Sequence, residues 1–321
     1  MAGTIDSMGA EIRSQAETLP AYADYLSSLP AVPQSERGGR NCLFTGAGDS
    51  FAAAMATEYL AIRKARSLDP YELAREPSIA ADQHLYIISV SGRTRSNVEA
   101  ARSATGIARK VTAITAVQES PLTRSCNDVI ELKFHSEARL TPGTSSFTAS
   151  LLASYSRVRP LPKTLDLSDV YDEALSWCRE VEIPRHSSTF LVGTGLTYPL
   201  ALYGKAKIFE VLGAKAQSQR TEQFSHMELF SLRRDDVTII IPEGEDDIQA
   251  RMLQASLDED SFKTVMLPPR CRDMIEESLR VTIFLQVLAW KTAKDRGMMD
   301  CAFINRSDLL RISDRMIYLP E

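Results

Sequence analysis

The 321-residue sequence has no run approaching the ~20 apolar residues that a membrane-spanning helix needs. Its longest candidate, Val281 to Trp290, is short and carries Gln286, so it reads as a core helix segment. The opening Met1-Ala2-Gly3-Thr4-Ile5-Asp6 has no basic region followed by an apolar core, so no signal peptide is expected there. Cysteine pairs are missing too. Cys42, Cys126, Cys178, Cys271 and Cys301 are scattered, odd in number and free of any Cys-x-x-Cys, which indicates neither a zinc site nor a disulfide framework. Reduced thiols in a cytoplasmic chain are the simplest setting. There is no long basic run and the net charge is −5, which argues against a nucleic-acid surface as the main business.

What is present is the composition of a soluble globular protein, 44% apolar and 25% charged, in a chain long enough for two domains. After a helical pattern over residues 8–28, apolar runs alternate with helical patterns. Strands are expected at Asn41 to Thr45, His84 to Ser89, Lys110 to Thr115 and Asp128 to Leu132, with helices at Ser50 to Lys64, Ser96 to Ala108 and Ser145 to Arg157. The segment Arg157-Val158-Arg159-Pro160-Leu161-Pro162-Lys163 breaks the pattern and reads as a linker, dividing the chain at 1–160 and 161–321. Strands then recur at Thr189 to Gly193, Val237 to Pro242 and Lys263 to Leu267, and helices at Asp166 to Glu182, Leu200 to Leu212, Asp246 to Leu257 and Glu276 to Arg296. Alternation of this kind predicts an α/β fold with parallel sheets covered by helices.

The halves read as a repeat, each opened by a strand, a Gly-x-Gly turn and an Ala-containing helix: Gly46-Ala47-Gly48-Asp49-Ser50 and Gly193-Thr194-Gly195-Leu196-Thr197. A dinucleotide-binding fingerprint wants a third glycine three residues on, where this chain has Phe51 and Tyr198, so a nicotinamide cofactor is not expected. The most telling turn is Ser89-Val90-Ser91-Gly92-Arg93-Thr94, placed between a strand and a helix. One helix cap needs one hydroxyl. Three hydroxyls, at Ser89, Ser91 and Thr94, suit a phosphate at the positive end of a helix.

In order and spacing, these two motifs and the stretch from Gly193 through Glu210 to His226 resemble the double sugar isomerase (SIS) domain family. Within it they are similar to the isomerase half of glucosamine-6-phosphate synthase, amino-sugar-phosphate deaminases and archaeal-type phosphoglucose/phosphomannose isomerases. The resemblance implies two flavodoxin-like three-layer αβα domains with mostly parallel sheets, no cofactor or metal, and a homodimer. It implies phosphosugar binding by Gly48, Ser50, Ser89, Val90, Ser91 and Thr94; the hydroxyls of the loop before the last helix of the first half, Thr144 and Ser145, are also placed to touch the sugar by this reading of the residues. The resemblance places the enediol-forming base at Glu210 and the ring-opening acid at His226, the latter reaching a neighbouring subunit's site.

The chemistry is consistent with those residue types. Moving a proton between C1 and C2 needs one base over both carbons, and a carboxylate in a partly dry cleft suits it. Histidine titrates near neutrality and can shuttle a proton to the ring oxygen. The chain departs from the family in three places. No lysine follows Lys294, and Arg311 falls nearest the family's C-terminal lysine; it keeps the charge but cannot form a Schiff base. The loop Thr141 to Thr148 has no lysine, and His226 is followed by Met227-Glu228 rather than Gly-Pro. An N-terminal cysteine nucleophile is absent, so glutamine-dependent synthesis is not expected of this chain alone. An isomerase or deaminase is the leading expectation, beside a fructosamine-phosphate deglycase or a phosphosugar sensor without catalysis.

Overall fold

The computed structural model describes residues 3–137, 139–270 and 273–319. The elements of the first part run α1 (Thr4–Ser28), β1 (Cys42–Gly46), α2 (Asp49–Leu60), β2 (Arg66–Leu68), α3 (Pro70–Arg75), β3 (His84–Ile88), α4 (Arg95–Ala104), β4 (Lys110–Thr115), β5 (Asp128–Glu131) and α5 (Ser145–Val158). There follow α6 (Val170–Trp177), β6 (Thr189–Gly193), α7 (Thr197–Lys207), β7 (Ala216–Arg220), α8 (Thr221–His226), β8 (Val237–Ile241), α9 (Ile248–Glu259), β9 (Lys263–Met266), α10 (Met274–Asp295), α11 (Ala302–Asn305) and α12 (Ser307–Ile317).

Both sheets are parallel throughout, with strand orders β2-β1-β3-β4-β5 and β7-β6-β8-β9. In each, the strand order reverses beside the sheet's first strand in sequence, the doubly wound pattern. The central strands β1, β3, β6 and β8 are buried at every residue, as expected of strands covered on both faces. Two edge strands, β2 and β7, were not expected from the sequence. The first has three residues and the second reads Ala-Gln-Ser-Gln-Arg, so neither shows an apolar run.

Contacts group the chain into two units. One holds the second sheet and comprises 1–17, 137–144 and 166–306; the other holds the first sheet and comprises 18–136, 145–165 and 307–321. The first-sheet core joins Leu43, Leu85, Ile87, Val111 and Ala113 to Val98, Ala101 and Ala104 of α4. Each fully buried Leu, Ile or Val contributes about 1.5–3 kcal/mol. His84, which starts β3, is part of this interior. It is buried between Glu36, at 2.7 Å from its Nδ1, and the Thr112 hydroxyl, at 2.7 Å from its Nε2, and serves structure.

In the second-sheet unit, α10 is buried over most of its length. Gln286, inside the expected Val281–Trp290 core segment, is fully buried; its Oε1 accepts from Gln15 Nε2 at 2.7 Å and its Nε2 donates to the Thr144 carbonyl at 3.3 Å. Asp273 caps the helix by accepting from the backbone N–H groups of Ile275 and Glu276. No described helix is long and apolar enough to cross a membrane.

Candidate functional site

In the first sheet, the turns after β1 and β3 leave neighbouring strands at the point where the strand order reverses. Ligands of open α/β sheets bind outside the carboxyl ends of strands at such a point. Gly46 allows the first turn to close: a Cβ there would lie 2.6 Å from Ser50 Cβ and 2.9 Å from the Ile88 carbonyl. Gly48 has φ +60, and a Cβ on it would meet nothing within 4 Å, so the space beside this turn is open. Ser50 stands in the first turn of α2, half-buried.

The second turn packs tightly underneath. Gly92 has φ +63, and a Cβ there would lie 2.2 Å from Ser120 Oγ. Ser89 is 2% exposed and its hydroxyl has no hydrogen-bond partner among the described residues. Asn97 Oδ1, three residues into α4, is likewise buried and unbonded, while its Nδ2 donates to the Ile88 carbonyl. Thr94 stands at the cap position of α4 but its side chain makes no capping bond. Ser91 Oγ accepts the N–H of Arg93 at 3.3 Å. Val90 is half-buried and Arg93 exposed. Among the described residues the turn leaves the Ser89 hydroxyl unbonded and the Thr94 side chain without a capping bond, contrary to simple capping.

This turn is tied to the C-terminal segment. Thr94 forms a β-bridge with Tyr318, and Arg95 Nη2 donates to the carbonyls of Tyr318, at 3.1 Å, and Arg315, at 3.4 Å. Arg311 lies on α12 and is exposed.

In the second-sheet unit, α7 continues into a π-helical turn, Ile208–Leu212, that carries Glu210. Such turns are rare and frequent at functional sites. The Glu210 carboxylate accepts from the ammonium of Lys207, whose side chain is completely buried while Glu210 is 39% exposed. Lys207 Nζ also lies 4.9 Å from the centre of the Tyr203 ring, and the Tyr203 hydroxyl donates to the Gly143 carbonyl at 2.7 Å. Sequence reasoning missed Lys207. Its signal was a lysine one helical turn before the candidate base, in a helix otherwise apolar on that side.

His226 ends α8 with its side chain 68% exposed, and pairs with Glu222 at 3.0 Å rather than with Glu210. The two candidate catalytic groups are thus each held by a different partner. Thr144 is also committed: its hydroxyl donates to Glu11 Oε2 at 2.5 Å, and the same carboxylate accepts from the Thr141 hydroxyl and from the Glu137 N–H. Glu11, 3% exposed, is an anchor for this loop that nothing in α1 advertised. Ser145, 1% exposed, opens α5. Among the described residues, no group of three His, Cys, Asp or Glu side chains is arranged to hold a metal ion.

No protein-family model matches the chain. It is 24% identical over 246 residues to the isomerising glutamine–fructose-6-phosphate aminotransferase of Sulfolobus acidocaldarius, covering 73% of this chain and 41% of that protein. It is 24% identical over 305 residues to the enzyme of the same name from Neisseria meningitidis serogroup B, covering 80% and 49%. The chain thus spans less than half the length of these curated relatives. Among solved structures, glucosamine-6-phosphate deaminase of Thermotoga maritima superposes with a TM-score of 0.76 at 16% identity, over 91% of this chain and 95% of that one. The C-terminal domain of the Francisella tularensis glucosamine-fructose-6-phosphate aminotransferase gives 0.68 at 18%, over 91% and 96%. Tagatose-6-phosphate ketose/aldose isomerase of Escherichia coli gives 0.67 at 16%, over 92% of each chain. The fold is therefore the α/β fold, with parallel sheets, of these solved structures.

Proposed function

We propose that this chain is a cytoplasmic phosphosugar aldose–ketose isomerase or amino-sugar-phosphate deaminase of the fructose 6-phosphate/glucosamine 6-phosphate type, acting as a homodimer of chains with two SIS domains. The observation that carries the reading is the Ser89 hydroxyl, buried without a partner among the described residues at the carboxyl end of β3, next in the sheet to the open Gly48 turn. A buried hydroxyl left unbonded is unfavourable by ~1–3 kcal/mol, and a bound ligand can complete it. A phosphate does so without adding protein charge, aided by the N-termini of α2 and α4.

The roles then divide. Ser50, Ser89, Ser91 and Thr94 hold the phosphate, with backbone N–H groups near Gly48 and Val90. Glu210 removes a proton from one of C1 and C2 and returns it to the other through the enediol, while Lys207 supplies its counter-charge. His226 protonates the ring oxygen on opening, and Arg311 supplies a cation for the developing enediolate. The test is hydrogen exchange at C1 and C2 in deuterated water with fructose, glucose, mannose and glucosamine 6-phosphates. Glu210→Gln is expected to lower exchange by ~10²–10⁴-fold with phosphosugar binding retained. No exchange with any of the four sugars would overturn the catalytic reading for these substrates.

A binding-only reading has one observation in its favour: Arg311 stands nearest the place of the family's C-terminal lysine, and arginine cannot form a Schiff base. It predicts phosphosugar-dependent thermal stabilisation without exchange.

A further inference from the structure

The two sheets carry the same turn in opposite states. After β1, Gly48 has φ +60 and open space where a side chain would project. After β6, Gly195 has φ +54, and a Cβ there would lie 2.2 Å from each carboxylate oxygen of Glu243. Glu243 Oε1 accepts the Leu196 N–H at 2.8 Å. Leu196 is the residue before α7, and its N–H is one of those that a bound anion would take. The second turn therefore already holds an anion, and the anion is the chain's own side chain.

The exchange of occupants is written in the segment after the sheet's third strand. After β3 the chain reads Ser89-Val90-Ser91-Gly92-Arg93-Thr94; after β8 it reads Pro242-Glu243-Gly244-Glu245-Asp246-Asp247. Hydroxyls and an arginine in the one become four carboxylates in the other. Asp247 fixes the segment by accepting the Glu243 N–H at 3.0 Å and by capping α9 through the Ala250 N–H at 3.0 Å. Burial pushes the Glu243 carboxyl above its usual range, so the fold keeps this group in place against its own desolvation. A helix start needs no carboxylate from another strand; a serine or threonine would serve.

We propose that Glu243 is a built-in surrogate ligand, which fills the anion cradle of the second sheet and bars phosphate esters from it, so that each chain takes up one phosphosugar at the first sheet. A phosphate dianion would have to displace a tethered carboxylate and approach Glu245, Asp246 and Asp247, all of like charge. The inference rests on the reading of the first turn as the phosphate anchor, and its test does not depend on turnover.

The experiment uses Glu243→Ala and Glu243→Gln in the full chain, with sodium acetate and inorganic phosphate as probes at constant ionic strength. Glu243→Ala is expected to melt lower than the parent chain. Acetate should raise its melting temperature saturably, and isothermal titration with phosphate should show one more site per chain than the parent. Glu243→Gln keeps the acceptor and the volume, so it should show no added site and no response to acetate beyond that of the parent. If Glu243→Ala folds poorly, recovery of soluble protein only in acetate or phosphate supports the same conclusion. An alanine variant that gains neither a phosphate site nor an acetate response, folded or not, overturns the inference. Failure of the parent chain to bind any phosphosugar would instead overturn the proposed function.

Discussion

Replacing Ser89 by alanine should move stability and affinity in opposite directions. The Ser89 hydroxyl is buried, at 2% residue exposure, and makes no hydrogen bond among the described residues. Its removal leaves no partner stranded and lifts a desolvation penalty of ~1–3 kcal/mol, from which the small void left behind subtracts. The expected gain is about 1 kcal/mol, which for a domain of this size is ~2–4 °C in melting temperature. Ligand binding should suffer. A hydrogen bond to a charged phosphate is worth ~1.5–3 kcal/mol, so the phosphosugar dissociation constant should rise roughly 10- to 150-fold. Urea unfolding of the ligand-free variant measures the first quantity, and calorimetric titration with fructose 6-phosphate the second. A variant that unfolds more easily than the parent, or binds the phosphosugar within twofold of it, would refute the reasoning. The first result would mean that the hydroxyl is satisfied in the folded chain. The second would mean that it faces no phosphate.

Three further perturbations follow from the same geometry. Gly92→Ala puts a methyl 2.2 Å from Ser120 Oγ on a backbone at φ +63, so it should lose ~2 kcal/mol or more of stability together with phosphosugar binding; an unchanged urea midpoint would count against the tight packing of that turn. Lys207→Met removes the buried counter-charge of Glu210, a group that is itself 39% solvated, so C1/C2 exchange should fall at least tenfold while the urea midpoint changes little; equal exchange rates would dismiss Lys207 from the chemistry. Burial pulls the His84 imidazole below its ordinary 6.5, with Glu36 working in the other direction. The unfolded chain then takes up a proton that the folded one resists, so this contribution is full above pH 6.5 and is lost as pH falls below it. His84→Gln should flatten the fall in stability between about pH 7 and 5.5, and parallel profiles for variant and parent would refute the assignment.

Alternating apolar runs made the central strands and their helices legible, and Lys110–Thr115 and Thr189–Gly193 fall where the sequence placed them. The edge strands were not legible, because an edge needs few apolar residues: β7 is Ala-Gln-Ser-Gln-Arg. The helix expected from Asp166 to Glu182 is confined to Val170–Trp177, since the patterning continues past the residues that hold helical hydrogen bonds. At the candidate site, the hydroxyl-rich turn could be read locally because strand, turn and helix are consecutive. Glu11 and Glu243 could not, whereas Lys207, one helical turn before Glu210, could have been. Glu11 meets Thr144 across 133 positions and Glu243 meets Leu196 across 47, and pairings at such separations leave no periodicity in the sequence. The residue reading singled out Thr144 for its loop hydroxyl, and the fold gives that hydroxyl to Glu11.

The bridge between Thr94 and Tyr318 has a consequence for biosynthesis. The hydroxyl turn emerges from the ribosome early, whereas the strap that pairs with it and receives Arg95 is made more than 200 residues later, with Leu319 packing into the same core. Synthesis at ~5–20 residues per second separates the two by at least ten seconds. A nascent chain can lay down the first sheet, but the hydroxyl turn stays unbraced until the segment around Tyr318 has been made. On the proposed phosphate reading, a ribosome-stalled chain that ends before α12 should bind phosphosugar more weakly than a released chain that carries Tyr318.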